Sequence, residues 1–353
     1  MATGTDTHQS AIAHSRPIID MHTHVAPRKA VEVAAEGGTW HGITFSRDAG
    51  GNLTTSAGDQ TMALPWPKRM ETPDERVATM DARAIDIQVI SLSPLMHWHS
   101  IDAATAAAFA RAANDDIAEY AATNPNRYLA LGFLPLQDPA ASVRELEYCM
   151  RDLGLMGAIV ATNVNGADWD DPDLFPVLEA AAALGAFIFI HPTRGRANSW
   201  LNRYHLRNLI GNPLETTVAA ASLIFGGVID RLPDLTVCLA HAGGYAVHGI
   251  GRFNHGYEVR PEARQSLSQL PSDYLKAMYF DTITHSERAL RTVIDVVGAD
   301  RLVLGSDYPA DMGEPHPAQF VDNCASLTSE EKNLILSGNM RRLIGAERMP
   351  TSS

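Results

Sequence analysis

Five side chains suited to holding a cation or moving a proton stand at the ends of short apolar runs. His22 and His24 close IIDMHTH, His191 closes FIFIH, His241 closes TVCLAH and Asp307 closes RLVLGSD. Residues two apart on a strand project to the same side, so His22 and His24 present their imidazoles together. Imidazole with carboxylate is a donor set for a divalent transition metal, zinc first, with manganese or iron as alternatives. The chain has 14 histidines, so one strand-end histidine means little; the weight lies in four runs being filled at the same relative position. A catalytic metal keeps one coordination position open for water or substrate. The assignment is therefore His22, His24, His191 and Asp307 as ligands, with His241 left over as acid/base. Asp307 is also counted as catalytic, as an acceptor for a reacting water.

These side chains can meet at one mouth only if their strands lie side by side. Eight β-rich apolar runs occur, at residues 18–24, 87–93, 128–134, 157–162, 187–191, 236–241, 278–282 and 301–307. Their nearly continuous apolar character predicts parallel strands covered on both faces. Helical stretches alternate with them, at residues 73–84, 103–122, 139–153, 172–184, 214–230, 286–297 and 329–343. Three of these open on a capping residue followed by proline: Thr72-Pro73, Asp138-Pro139 and Asp171-Pro172. The alternation predicts an α/β fold, a (β/α)₈ TIM barrel, in which active-site groups sit at the C-terminal ends of the strands. An open doubly wound sheet is the alternative, but no Gly-x-Gly-x-x-Gly turn follows the first run. Residues 17–345 form one domain, with 1–16 a disordered leader and 346–353 a tail. Residues 25–71 interrupt the rhythm as a glycine-rich loop or hairpin ending in PWPKRM. An insertion after a barrel strand lies on the catalytic face and predicts a lid or substrate wall.

Bulk properties narrow the partners. Lys and Arg total 28 against 41 Asp and Glu, a net charge of −13, which argues against nucleic acid or an anionic membrane surface. Three scattered cysteines make no disulfide framework and point to a reducing cytoplasm. The first residues lack a basic start followed by an apolar signal run, and no apolar stretch reaches 18 residues.

Longer motifs carry a resemblance. IDMHTH, NPNRYLALGFLPLQDP, GNPLETTVAAASLIFGGVIDRLPDL, CLAHAGG, GRFNHGY and LGSDYP resemble the amidohydrolase superfamily, over residues 18–345. The branch resembled contains α-amino-β-carboxymuconate-ε-semialdehyde decarboxylase and the resorcylate, carboxyvanillate and isoorotate decarboxylases. The resemblance implies zinc on the ligands assigned above and an acid/base role for His241. It also implies a homodimer in which Arg252, eleven residues after His241, reaches into the neighbouring site. An arginine fork suits a carboxylate substrate. The sequence departs from the semialdehyde decarboxylase after His191-Pro192, where Thr193-Arg194 stands in place of Trp-Asp. No arginine falls cleanly on the family's second substrate arginine; Lys68 and Arg69 are nearest. Substrate contacts are thus expected from Arg252, Arg194, Trp66, Arg69 and His97, the last in the His97-Trp98-His99 loop. Met62 and Met70 are expected to pack inside the insertion, Asp281 to brace the rim through hydrogen bonds, and His285 to lie at the surface near the mouth.

The reaction expected is metal-dependent, non-oxidative decarboxylation of a carboxylated aromatic or of an unsaturated acid derived from ring cleavage. The alternative is a metal-dependent hydrolase acting on an amide, lactone or carbon–carbon bond. A barrel kept only for binding would have lost ligand residues, and none is missing.

Overall fold

The structure, a computed structural model, describes residues 16–58, 60–64, 71–193, 196, 199–345 and 349. The strands are β1 (Ile19–Val25), β2 (Gly38–Trp40), β3 (Ile43–Arg47), β4 (Leu53–Ala57), β5 (Gln60–Leu64), β6 (Ile87–Leu92) and β7 (Tyr128–Ala130). They continue with β8 (Gly132–Phe133), β9 (Gly157–Ala161), β10 (Phe187–His191), β11 (Thr236–Leu239), β12 (Tyr279–Asp281) and β13 (Leu302–Val303).

Parallel pairing runs β1–β6–β7 and β8–β9–β10–β11–β12–β13. β7 and β8 are one stretch of chain that changes partner at Leu131, whose N–H donates to the Ile90 carbonyl while Met156 N–H donates to the Ala130 carbonyl. The ring closes between its last and first strands: Met21 N–H to Leu304 O at 2.9 Å, Asp307 N–H to His22 O at 2.9 Å and His24 N–H to Tyr308 O at 2.8 Å. The eight runs therefore close into the expected (β/α)₈ barrel.

Ile19, Met21, Val89, Leu131, Ile159, Phe189, Cys238 and Val303 fill the barrel interior. Their strand neighbours Ile90, Ile188, Val237, Leu239 and Leu302 face the helices. Two helices begin where their caps predict: Thr72 closes a capping box with Glu75 ahead of Pro73–Ala82, and Asp138 caps Pro139–Arg151. Asp102 caps Ala103–Ala122. Two expectations change. Pro172 enters a turn and the helix starts later, at Phe175–Leu184. The single helix expected over 214–230 is Asn212–Phe225 followed by a separate turn, Val228–Arg231, because Gly227 takes a left-handed φ of 69° that ends the first helix.

The insertion is more than a loop or hairpin. A helix, Arg28–Glu36, is followed by β2–β3–β4–β5 in antiparallel order. Alternation turns Ile43 and Phe45 to one face, fully buried, with Leu53, Thr55 and Ala57 beside them. Trp40 anchors this sheet on the Ala103–Ala122 helix, its ring 5.6 Å from Phe109, and Met62 packs on the same core. Met70 lies outside the described residues, as do residues 1–15 of the expected leader and most of the expected tail.

Candidate metal centre and active-site pocket

Strict alternation would turn His22 and His24 away from the barrel axis, since Ile19 and Met21 already face it. The register of β1 against β6 slips between Asp20 and Thr23, and this bulge reverses the phase. Both imidazoles then look into the mouth, His22 edge-on to Phe189 with ring centroids 4.7 Å apart. His191 needs no such device, being in phase with Phe187 and Phe189 at the end of β10. His241 follows Cys238 and Ala240, so it too would point outward; a left-handed φ of 54° turns it inward just past β11. Asp307 has φ 57°, backbone that aspartate tolerates better than most residues.

The five groups meet. Ligand atoms of His22, His191, His241 and Asp307 all lie within 4.8 Å of one another. His24 Nε2 is 3.1 Å from His22 Nε2 and 3.1 Å from Asp307 Oδ1, which is itself 3.4 Å from His22 Nε2.

Hydrogen bonds behind the ring nitrogens set the tautomers. His22 Nδ1–H donates to Asp281 Oδ2 at 2.7 Å. Ser91 Oγ spends its one hydrogen on the Thr23 carbonyl, so at 3.0 Å from His24 Nδ1 it must accept. His191 Nδ1–H donates to the Pro192 carbonyl at 2.7 Å. Each of the three therefore presents Nε2 as a lone pair. Lone pairs 3.1 Å apart, facing a carboxylate oxygen, repel one another unless a cation sits among them. His191 Nε2 is also buried with no hydrogen-bond partner among the described residues. The donor set and this orphaned acceptor both suit a divalent metal.

Without a cation the site draws a proton instead: burial alone would lower the pKa of His22, but Asp307 and Asp281 outweigh it and push it up to about 9, so a metal would displace the proton from its Nε2. Burial and then the neighbouring His24, His22 and His241 hold His191 well below its ordinary value, so it stays neutral. Burial opposes ionisation of Asp307, yet the imidazoles, His22 foremost, keep its carboxyl well below the usual range.

His241 stands apart. Its Nε2 is 3.6 Å from Asp307 Oδ2, the oxygen that faces away from His22 and His24. Its Nδ1 has no partner among the described residues, while the Asp307 carboxylate favours a proton on Nε2. His241 and Asp307 form the floor of a pocket of about 420 Å³ whose walls include Asn208, Asn212, Tyr245, His248, His285 and Met312.

Asp281 does more than brace the rim: besides orienting His22, it accepts from the N–H groups of His241 and Ala242 at 2.8 Å and Ile283 at 3.0 Å. One carboxylate thus sets both a ligand ring and the backbone that carries His241. Sequence reasoning missed Ser91 and the 208–212 wall. Ser91 had a faint signal, a hydroxyl inside an apolar run; the π-helical turn Arg207–Gly211 that swings Asn208 into the pocket had none. His285 lines the pocket while its side chain stays 45% exposed, 3.8 Å from Glu314. His97 is buried at the catalytic end. Arg252 is exposed on the Ala246–Val259 helix and is not part of this chain's own pocket wall. Trp66, Lys68, Arg69 and Arg194 lie outside the described residues.

Comparison with known proteins follows the same outline. The family model described as Amidohydrolase matches residues 19–346. A 2-amino-3-carboxymuconate-6-semialdehyde decarboxylase from Dictyostelium discoideum is 34% identical over 330 residues, covering 93% of this chain and 92% of the relative. The crystal structure of 5-carboxyvanillate decarboxylase from Sphingomonas paucimobilis superimposes with a TM-score of 0.78 at 26% identity, covering 93% of this chain and 99% of that one. A dihydroxybenzoic acid decarboxylase from Polaromonas, solved with bound manganese and 2-nitroresorcinol, shares the fold at a TM-score of 0.77 and 24% identity, over 95% of this chain and 100% of its own.

Proposed function

Because the chain belongs to the amidohydrolase family, we propose that it is a metal-dependent, non-oxidative decarboxylase of a carboxylated aromatic or of an unsaturated acid derived from ring cleavage. The observation that carries this is the division of Asp307: Oδ1 faces two ligand-disposed imidazoles and Oδ2 faces Nε2 of His241. That division supports a cation site on one side of the carboxylate and a proton carrier on the other, beside one pocket. The relatives' names support the same reaction class.

His22, His24, His191 and Asp307 would hold the metal, with zinc proposed on the donor set and manganese, bound by the Polaromonas enzyme, as the other choice. When bound, it supplies Lewis acidity toward a substrate oxygen. The remaining work falls to the chain. His241 gives a proton to the carbon bearing the carboxylate, the carbon–carboxylate bond breaks, and its electron pair restores the conjugated system as CO₂ leaves. Atoms and charge balance without a redox cofactor. Asp307 Oδ2 orients His241 for that transfer, and Asp281 fixes the backbone behind it.

The test is the fate of the carboxylate. With metal-loaded enzyme, a substrate acid is expected to release one CO₂ per turnover without incorporating labelled solvent oxygen into the organic product. Incorporation of solvent oxygen with no CO₂ would replace this reading with a hydrolase.

The site is proposed to be completed across a homodimer, Arg252 of each copy holding the substrate carboxylate in its neighbour. Arg252 is exposed and makes no ion pair among the described residues. Its helix, Ala246–Val259, buries only Ala246 and Val247. Tyr245 and Leu209 at the pocket, with Trp200, Tyr204 and Val259, are exposed large apolar side chains of a kind that a second copy would cover. Mixing inactive Arg252→Ala chains with inactive His241→Ala chains should restore activity, since one site of each mixed dimer is then intact. Absence of recovery in mixed dimers would leave each site confined to one chain. No helix among the described residues is long and apolar enough to cross a membrane. The free, buried Cys149, Cys238 and Cys324 support a cytoplasmic location, which cell fractionation checks.

A further inference from the structure

The bulge that turns His22 and His24 into the mouth has to be held, since a regular strand would alternate through it. Asp20 stands at its start, fully buried between Ile19 and Met21, whose side chains fill the barrel on the other face of β1. Its Oδ1 accepts from the N–H of Ser306 at 3.0 Å and from that of His22 at 3.4 Å. Its Oδ2 accepts from Ser306 Oγ at 2.6 Å and from Gln88 Nε2 at 3.3 Å. Asp20 and Gln88 face each other across β1 and β6 at the last position before the register slips.

The same carboxylate reaches the last strand. The hydrogen bonds that close the ring run from Met21 to Leu304, from Asp307 to His22 and from His24 to Tyr308. They pass over the Ser306 N–H, which goes to Asp20 instead. Ser306 Oγ in turn accepts from Tyr308 N–H at 3.1 Å, so the backbone on either side of Asp307 is tied to Asp20 through one serine. Behind Gln88 lies Arg76, 1% exposed, whose Nε–H donates to Gln88 Oε1 at 2.7 Å and whose Nη1–H donates to the His24 carbonyl at 3.1 Å. Thr23 Oγ1 donates at 2.9 Å to the carbonyl of Val89, the β6 residue that the slip leaves without a partner on β1. The seam has no slack: a Cβ on Gly305 would lie 2.9 Å from that of His22. The backbone around His22, His24 and Asp307 thus hangs on one buried network centred on Asp20.

We propose that Asp20 is a positioning residue of the metal site: it touches no reacting atom, but by holding the β1 bulge to the backbone of Ser306 it brings the donor atoms of His22 and Asp307 to one point. This rests on the metal-dependent reading above. His22 Nε2 and Asp307 Oδ1 stand 3.4 Å apart although the residues lie at opposite ends of the chain. With Asp20 gone, β1 is free to relax toward regular alternation, which points His22 away from the barrel axis. A group that merely braced the barrel wall would act differently, its loss lowering stability while a folded protein kept its ligand set. Groups that orient ligands ordinarily govern metal affinity by about 10- to 100-fold.

Cobalt(II) alone is the probe, because its visible absorption reports ligand number and geometry without turnover, and it accepts the same imidazole and carboxylate donors. Asp20→Ala is expected to weaken Co²⁺ binding by about 10- to 100-fold and to change that absorption, measured well below the variant's melting temperature. Asp20→Asn keeps an oxygen for the N–H groups of Ser306 and His22 and should recover most of both. Ser306→Ala removes only the Oγ contact; it should move both readouts the same way by less, and it carries the test should Asp20→Ala not fold. If folded Asp20→Ala, or Ser306→Ala in its place, binds Co²⁺ with the parent's affinity and spectrum while only its melting temperature falls, Asp20 is a brace of the wall and the proposal is overturned. The two readings fail separately: a parent that takes up no Co²⁺ sinks the metal-dependent reading, while a parent and variants that bind it alike sink the role of Asp20 alone.

Discussion

Asp307→Asn is expected to lose metal retention and CO₂ release together. The substitution keeps the side chain's shape and suits the left-handed φ of 57°, which asparagine accepts as readily as aspartate. An alanine there would add strain of about 1–2 kcal/mol and confuse the result. What changes is charge. Among the described residues the carboxylate is the one anion facing the Nε2 atoms of His22 and His24, at 3.4 and 3.1 Å, and it also faces His241. Outer partners of metal ligands already influence affinity by about 10- to 100-fold, so losing a ligand's charge should cost at least about 100-fold. Turnover should fall with it, beyond what added metal restores, because Asp307 Oδ2 no longer orients His241. Elemental analysis beside a CO₂ assay reads both. Stoichiometric metal in the purified variant would remove Asp307 from the ligand set.

His241→Asn should behave in the opposite way, keeping metal while kcat falls by about 10²–10⁴, the usual worth of a positioned acid/base group. Asparagine again tolerates the backbone, at φ 54° here. The geometry leaves a sharp alternative. His22, His191, His241 and Asp307 have ligand atoms mutually within 4.8 Å, so a metal could in principle take His241 in place of His24. The tautomers argue otherwise: Ser91 holds His24 with its Nε2 lone pair inward, whereas no hydrogen bond holds Nδ1 of His241. Metal lost from His241→Asn and kept in His24→Asn would reverse the assignment. Metal kept with kcat within tenfold of the parent would remove the acid/base role.

Much of the candidate metal site was legible in the sequence, because its signals are local. A histidine at the end of an apolar run marks the C-terminal end of a barrel strand, and caps such as Thr72 with Glu75 announce their helices within four residues. The insertion was legible only as an interruption. Ile43, Phe45, Leu53 and Ala57 do alternate, but runs this short, set among glycines, read as loop until each has a partner strand and a helix to bury against. Ser91 and the 208–212 wall act on residues far away in the chain, which no window of sequence displays.

By itself, then, the chain's order of residue types determined eight strands, the side chains at their ends and the chemistry those could support, since strand period, capping and donor type are properties of neighbours. It did not determine which way the side chains face. His22 and His24 look into the barrel because β1 bulges against β6, and His241 because the backbone turns left-handed where Asp281, forty residues on, accepts its N–H. The tautomers likewise hang on contacts across the ring, from His22 to Asp281 and from His24 to Ser91. Only closure of the barrel brings those partners within hydrogen-bond reach, so the tertiary structure alone decided that these histidines offer their lone pairs to one point.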